Sequence, residues 1–422
     1  MKPVEVYKFG GASVKDAEAI RNVGKILQNS PRPLAVVISA MGKTTNHLEA
    51  IIQAHINNPD LLPELLDNLK KYHNDVVNEI LGDQAGPCLT DLHDLWVELN
   101  WILEEEPHPN YNYEYDQIIV FGELVSTKIV SAYLNTQGIE HEWMDARGLI
   151  KTDNAFREAR ILWDLTQTAI DTLLKKSLDA VGLVITQGFI GSTIYNESTS
   201  LGREGSDYTA AILAYALDAT AVTIWKDVPG IMTGDPKRFA AAEKLPDLSY
   251  QEAIEMTYYG AKVIHPKTIK PLQNKGIPLY VRPFDRPSEN GTKIGATMIK
   301  DHPPIIVVEP NQVLLRISTK DFSFVAEENL KEIFTRIADL RLKVNSMRNS
   351  AISFMVVLTH DVSKLDQLMT SLKEQYDLTL FENIELITVR HADEKTLEEM
   401  KRGKEILFAE QYGKTNQFIV KN

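Results

Sequence analysis

A lysine followed by paired glycines at the end of an apolar run can hold an anion, and YKFGGAS at residues 7–13 supplies that combination. Lys8 offers a point charge, Gly10 and Gly11 let the backbone approach an anion, and Ser13 opens a helical stretch whose N-terminus favours negative charge. A second loop, ISAMGKTT at 38–45, contains the Gly-Lys-Thr triplet of a nucleotide P-loop. Such a loop needs another glycine five positions before its Gly-Lys, and Val37 stands there, so the P-loop reading fails. Further glycine loops follow at TQGFIGS (186–192) and LGREGSDYTAA (201–211), where Ser206 or Asp207 is placed to cap the next helix. A fifth stretch, WKDVPGIMTGDPK (225–237), closes an apolar strand with a turn-rich run.

These loops need a frame that gathers them. VEVYKF reads as a buried strand and AEAIRNVGKIL as a helix, and PLAVVISA is a second continuous apolar strand of the kind found in parallel sheets. Residues 47–106 read as largely helical, an insertion into the alternation. Beyond it come a helix (116–137), a strand (IEHEWMDA), a helix (158–177), a strand (DAVGLVITQGF), a helix from Asp207 and a strand (ATAVTIWKD). Strands alternating with helices predict an α/β fold with a mostly parallel sheet, whose ligands bind outside the carboxyl ends of the strands. The texture changes after Gly295. QVLLRIS, EENLKEIFTRIADL, LKVNSM, AISFMVVLT and VSKLDQLMTSLKEQ read as βαββα, a ferredoxin-like order, and IELITVRH, EKTLEEMKR, EILFAEQ and NQFIVK repeat it as a shorter βαββ echo. The reading divides the chain into 1–298, 303–380 and 381–422.

Composition narrows the chemistry. A formal charge of -13 argues against nucleic acid, whose phosphates it would repel. The single cysteine, Cys88, rules out a disulfide framework and points to a reducing, cytoplasmic setting. MKPVEVYKFGG lacks the apolar stretch of a secretory signal, and no apolar run of ~20 residues predicts a membrane span. No two glycines lie two positions apart, so a G-x-G-x-x-G dinucleotide fingerprint is absent. The histidines show no zinc-ligand spacing, so no protein-held metal is expected.

Taken in order, KFGGASV, SAMGKTTN, FGELVS (121–126), MDAR (144–147), TQGF, GREGSDYTAA, WKDVPGIMTGDPK and YYGAKVIHP (258–266) resemble the aspartate kinases of the amino-acid kinase superfamily, over residues 1 to about 295. The C-terminal part resembles that family's paired ACT domains. The resemblance implies a three-layer kinase domain followed by ferredoxin-like modules, and transfer of the ATP γ-phosphoryl group, with nucleotide-borne Mg²⁺, to the side-chain carboxylate of L-aspartate, the first step toward lysine, threonine and methionine. It assigns catalysis to Lys8 and Asp207, with Asp207 orienting Lys8. It places Ser39, Ala40, Thr45, Glu123, Phe189, Arg203 and Ser206 around aspartate, Arg203 as a carboxylate fork and Glu123 as the charge facing the ammonium. It gives the nucleotide Lys8, Gly10, Gly11, Ser13, Lys226, Asp227, Met232, Lys237 and Lys262. ISAMGKTT then belongs to the amino-acid edge of the site, and Lys43 is not a phosphate lysine.

This chain departs from the pattern at Lys226, where a small hydroxyl residue is common, at Met232, where tyrosine is common, and at Glu204, where glycine is common. For Lys226 the bland alternative is a solvated surface lysine. Two other classes compete with the kinase reading. A catalytically silent amino-acid sensor is disfavoured by Lys8, Glu123, Arg203 and Asp207 occurring together, and a bifunctional homoserine dehydrogenase by the missing dinucleotide glycines. In the C-terminal part the loop ISTKDFSFVAEEN lacks glycine, and Asn345 stands where an acid is expected. An ACT-mediated homodimer with weak or absent response to lysine and threonine is therefore expected.

Overall fold

Two strands, β1 (Glu5–Phe9), buried from Val6 on, and the fully buried apolar β2 (Leu34–Ile38), pair in parallel at the heart of a sheet covered on both faces. The computed structural model describes residues 3–261, 264–297, 301–321 and 323–421. It divides into two compact units, the first built from 3–231, 244–254 and 264–297, the second from 232–243, 255–261 and the C-terminal residues from 301 on. Lys262 lies outside the described residues.

In the first unit β1 runs through a 3-10 turn into α1 (Ala17–Gln28), which Asp16 caps by accepting the Ala19 amide. Ser13 therefore sits inside the turn instead of heading the helix. After β2 come α2 (Thr44–Asn57), α3 (Leu62–Leu81), α4 (Ala85–Glu104), α5 (Tyr111–Ile119) and α6 (Phe121–Thr136). Then follow β3 (Glu142–Met144), α7 (Ala146–Leu149), α8 (Trp163–Ala169), α9 (Lys175–Val181), β4 (Leu183–Gln187), the ribbon of β5 (Ile190–Ser192) and β6 (Ser198–Ser200), α10 (Gly205–Leu217) and β7 (Ala221–Lys226). β8 (Asp247–Ser249), α11 (Tyr250–Tyr258), α12 (Pro266–Lys275), β9 (Leu279–Pro283) and β10 (Thr292–Gly295) complete this stretch, with α11 crossing from the first unit's residues into the second's.

The sheet order is β3-β4-β2-β1-β7-β9-β10-β8. All neighbours from β3 to β9 are parallel, and only β10 on β9 is antiparallel. From β1 the chain builds outward on the β2 side and then returns to place β7 on the other. The order reverses at β1, which makes the crevice beyond the ends of β1 and β7 the natural ligand site. The segment Tyr111–Thr136 is long and apolar enough for a membrane span, yet its apolar window is 78% buried in the protein interior. It is a core helix pair.

Some expected elements moved. The helix read over 158–177 begins at Trp163, because Phe156 and Arg157 take positive φ (51° and 55°) in a turn whose amides bond Asp153 and Asp116. The strand read at IEHEWMDA shrinks to Glu142–Met144, since Asp145 caps α7 instead. Asp207 does not cap α10, which starts at Gly205 behind the left-handed Glu204 (φ 57°). That backbone conformation favours glycine, which accounts for the glycine common there in the resembled family.

The second unit holds β11 (Ile305–Thr319), α13 (Glu327–Asp339), β12 (Val344–Asn349), β13 (Ser353–Thr359), α14 (Val362–Leu372), β14 (Tyr376–Arg390), α15 (Glu394–Lys401), β15 (Glu405–Tyr412) and β16 (Thr415–Lys421). They form one antiparallel sheet of order β12-β13-β11-β14-β16-β15. β11 and β14 pair along almost their whole length, bulging near Glu309–Leu314. Residues 305–309 pair with 386–390, and 312–319 with 376–384. The sequence division at 380/381 thus falls within one continuous strand, and the later βαββ echo gains a strand from 305–309. Helices α13 and α14 cover Val313, Leu315, Ile317 and the matching face of β13. The opposite face buries Leu314, Val357, Ile384, Leu386 and Ile419. There Arg348 of β12 lies 4.8 Å over the Phe408 ring of β15, so the two edge strands approach across that face.

Candidate active site

At the end of β1, Lys8 points at Asp207 on the first turn of α10, Nζ to Oδ1 2.6 Å, with Asp207 1% exposed. The pair meets by distance but not with hydrogen-bond alignment, and neither Asp207 oxygen has an aligned donor among the described residues. Lys226, the last residue of β7, brings its Nζ to 3.5 Å from Oδ2. It is no solvated surface lysine, since its side chain is 21% exposed. Burial alone would raise the Asp207 carboxyl, but Lys8 and Lys226 outweigh it and hold the group below the usual carboxylate range.

The glycine loops converge beside this cluster. The Gly42 amide donates to the Gly11 carbonyl (3.0 Å) and the Ser39 amide to the Phe9 carbonyl (3.1 Å), so YKFGGAS and ISAMGKTT are joined through the backbone. A Cβ on Gly11 would stand 2.7 Å from the Ala40 oxygen, closer than real side chains come. Glu123 enters from the first turn of α6, fully buried. Its Oε1 accepts the Ala40 amide at 3.4 Å and its Oε2 has no hydrogen-bond partner among the described residues. Burial pushes the Glu123 carboxyl up to about 8, against the Ala40 amide and the Lys8 charge that lower it. Ser126, one turn on, donates to the Ser39 carbonyl at 2.7 Å.

TQGFIGS abuts the start of α10. Phe189 holds a left-handed φ of 69°, unusual for a bulky residue, and its amide donates to Thr209 Oγ1 at 3.0 Å. Gly188 leaves the room that Ser206 occupies, for a Cβ there would lie 2.4 Å from Ser206 Cβ. Arg203 and Glu204 form the exposed turn before α10, and Asp227 is exposed just past β7. Met232 and Lys237 fall in the segment grouped with the second unit, Lys237 exposed with its amide on Asp235 Oδ1. MDAR is a strut: Asp145 caps α7 and holds the Arg147 guanidinium at 2.7 Å, while the Ala146 amide donates to Gln187 Oε1.

The sequence reading missed the support from α3. His73, fully buried, donates from Nδ1 to the Leu69 carbonyl (2.8 Å), which leaves Nε2 to accept the Thr44 hydroxyl (3.2 Å) at the start of α2. Burial lowers the His73 ring to about 4, so it stays neutral. The neighbouring Tyr72 hydroxyl donates to the Lys15 carbonyl at 2.5 Å. A lone histidine in a helix carries no sequence signal for this.

Residues 3–283 match the amino acid kinase family. The lysine-sensitive aspartokinase 3 of Escherichia coli is 32% identical over 88% of this chain and 82% of its own length. The chain belongs to the aspartokinases of that family. Aspartokinase 1 of Arabidopsis thaliana chloroplasts is 34% identical over 85% of this chain, which spans 64% of that longer protein. The E. coli aspartokinase III structures superpose over 99% of this chain and 96% of theirs, at 28% identity. TM-scores are 0.84 for its complex with lysine and aspartate and 0.83 for that with aspartate and ADP. This aspartokinase is an ATP-dependent aspartate kinase, and its sheet order reverses where Lys8, Asp207 and Lys226 meet.

His73→Ala removes the acceptor for Thr44 and leaves a cavity, a change expected to cost on the order of 1–3 kcal/mol of stability. We expect KM for aspartate to rise more than KM for ATP, because Thr44 begins the helix that follows the 38–43 loop. Steady-state kinetics on the folded variant check this, and unchanged aspartate KM would remove α3 from the site's support.

Proposed function

We propose that the crevice beyond β1 and β7 is where a side-chain carboxylate oxygen of L-aspartate attacks the γ-phosphorus of ATP. The bond from that phosphorus to the β-phosphate oxygen breaks, ADP leaves, and 4-phospho-L-aspartate is formed. The buried Lys8–Asp207 pair carries this reading: Asp207 fixes a lysine ammonium at a strand end beside two glycines. The nucleophile needs no base, because a carboxyl with a reference pKa near ~3.9 is already ionised at neutral pH. The task left to the protein is to bring two anions together and stabilise the charge on the transferring group. Lys8 and the amides at Gly10, Gly11 and Ser13 do so on the phosphate side. Arg203 takes an aspartate carboxylate as a fork, Glu123 takes the ammonium, and Ser39, Ala40, Thr45, Phe189 and Ser206 line the pocket.

The carboxylates at the cluster do not suit a resident metal. Asp207 is flanked by two ammoniums, and burial favours the neutral form of Glu123. Mg²⁺ fits this site as part of the nucleotide, held by its phosphates. We place the reaction in the cytoplasm, in keeping with the buried thiol Cys88.

Lys8→Ala is expected to lower kcat by about 10²–10³ with little change in KM for aspartate, since the lysine acts on charge that develops during transfer. Trapping the acyl phosphate with hydroxylamine reads this directly. Turnover at the wild-type rate would end the assignment.

Glu123 links aspartate binding to pH. In the free protein it is mostly protonated below about 8, and meeting the substrate ammonium requires the carboxylate. Binding at lower pH therefore releases a proton, and affinity rises with pH until about 8 and then levels. Calorimetry at neutral pH in buffers of different ionisation enthalpy should show close to one proton released per aspartate, and Glu123→Gln should abolish the release.

For the second unit we propose a homodimer through the edge strand β12, where Met347 is 56% exposed. The apolar faces of QVLLRIS and AISFMVVLT are covered within the chain and do not themselves call for a partner. Asn345 directs its amide to Gln312 Oε1 (2.6 Å) and Thr359 Oγ1 (2.9 Å), leaving no carboxylate there for an effector ammonium. We expect a dimer in sedimentation and no half-inhibition by lysine or threonine below about a millimolar, since a charged hydrogen bond is worth about 1.5–3 kcal/mol. Tight inhibition by either would contradict the role given to Asn345.

A further inference from the structure

Beside α1, on the face of the sheet turned away from Lys8 and Lys226, lies a cavity of about 400 Å³. Consecutive strand residues point to opposite faces, so Tyr7 and Trp225 line this cavity while the lysines next to them in sequence meet Asp207 on the other side. Arg282 joins them on the floor, directly across from Trp225 in the β7–β9 register. The wall is α1, whose Asn22, Lys25, Ile26 and Asn29 are spaced by three and four residues and so share one helix face. The carbonyls of Pro287 and Glu289 accept Arg282 Nη2 (3.0 Å) and Nε (3.3 Å), with the guanidinium 5.0 Å over the Trp225 ring. Its Nη1 makes no hydrogen bond among the described residues. Trp225 is 2% exposed, and its indole N–H finds no acceptor among the described residues either. A buried donor without an acceptor destabilises the fold, so this one calls for a partner. Two cations, Lys25 and Arg282, line the cavity, and no carboxylate side chain does.

We propose that this cavity binds a small carboxylate that has an apolar body and no ammonium group, at a site separate from those for aspartate and ATP. The Arg282 guanidinium and the Trp225 indole N–H donate to the carboxylate oxygens, an arrangement suited to the planar fork of arginine. Lys25 adds charge from the exposed rim, and Ile26 with the Tyr7 ring takes the apolar body. An amino acid fits less well. Its ammonium would lie beside two cations with no acid to answer it, which separates this ligand class from the substrate.

The full-length protein, labelled with ¹⁵N at its tryptophan indoles, is titrated at constant ionic strength with 4-methylpentanoate, with leucine and with inorganic phosphate. The Trp225 signal is the one lost in Trp225→Phe. We expect its indole proton to move downfield and saturate with 4-methylpentanoate, at a Kd in the millimolar range or below, and to do so equally in saturating Mg·ADP and aspartate. Leucine, with its unanswered ammonium, and phosphate, with no apolar body, should each bind at least about tenfold more weakly. Arg282→Gln should weaken 4-methylpentanoate on the order of tenfold or more. Lys25→Gln, an exposed change that leaves the core intact, should weaken it about two- to fivefold with kcat near wild type. An unmoved Trp225 signal, an equal response to leucine or phosphate, affinity untouched by both variants, or displacement by Mg·ADP or aspartate would each overturn the proposal.

Discussion

The ion pair between Lys8 and Asp207 is the constraint around which the first unit is arranged. A buried carboxylate is costly unless a cation answers it, and removing one partner of such a pair typically costs about 3–5 kcal/mol. Answering it here requires β1, β7 and α10 to end at one place. The parallel pairing of β1 with β7, and the packing of α10 on the sheet that β1 centres, bring the three side chains together. The same condition leaves an ammonium fixed in a low-dielectric setting, where its charge acts more strongly than in water.

Around that pair the loops hold each other by backbone contacts. Gly11 and Gly42 touch through an amide and a carbonyl, so the loop that follows β1 and the loop that follows β2 are one piece of structure. The inserted helices have a part in this. Tyr72 and His73 of α3 reach the Lys15 carbonyl and the Thr44 hydroxyl, so a segment that reads as an addition to the fold braces both loops. Glu123 and Ser126, on one face of α6, grip Ala40 and Ser39 from the other side. The 38–43 loop is thereby held from both sides by groups anchored on helices.

The second unit solves a different problem. Two ferredoxin-like patterns are laid side by side in one sheet by lending each other the halves of two long strands, β11 and β14. Both faces of that sheet find apolar cover inside the chain, from helices on one side and from the approach of its edge strands on the other. The sheet ends in two edge strands, β12 and β15.

The sequence by itself determined the alternation of strand and helix, the positions of the glycine loops and the residue types able to handle two carboxylates, an ammonium and a phosphate. These are local properties: apolar runs set strands, and glycine permits close approach. Tertiary structure alone decided which charges meet. That Asp207 binds two lysines instead of capping α10 depends on residues far apart in the chain, and so does the shift of Lys226 from an apparent surface lysine into the cluster. The same holds for His73 under Thr44, and for residues 305–309, which pair with a strand some eighty positions later. Burial, and with it the raised Glu123 carboxyl, is likewise a property of the packed unit, because it depends on how much water the neighbours exclude and not on the residues beside it in sequence.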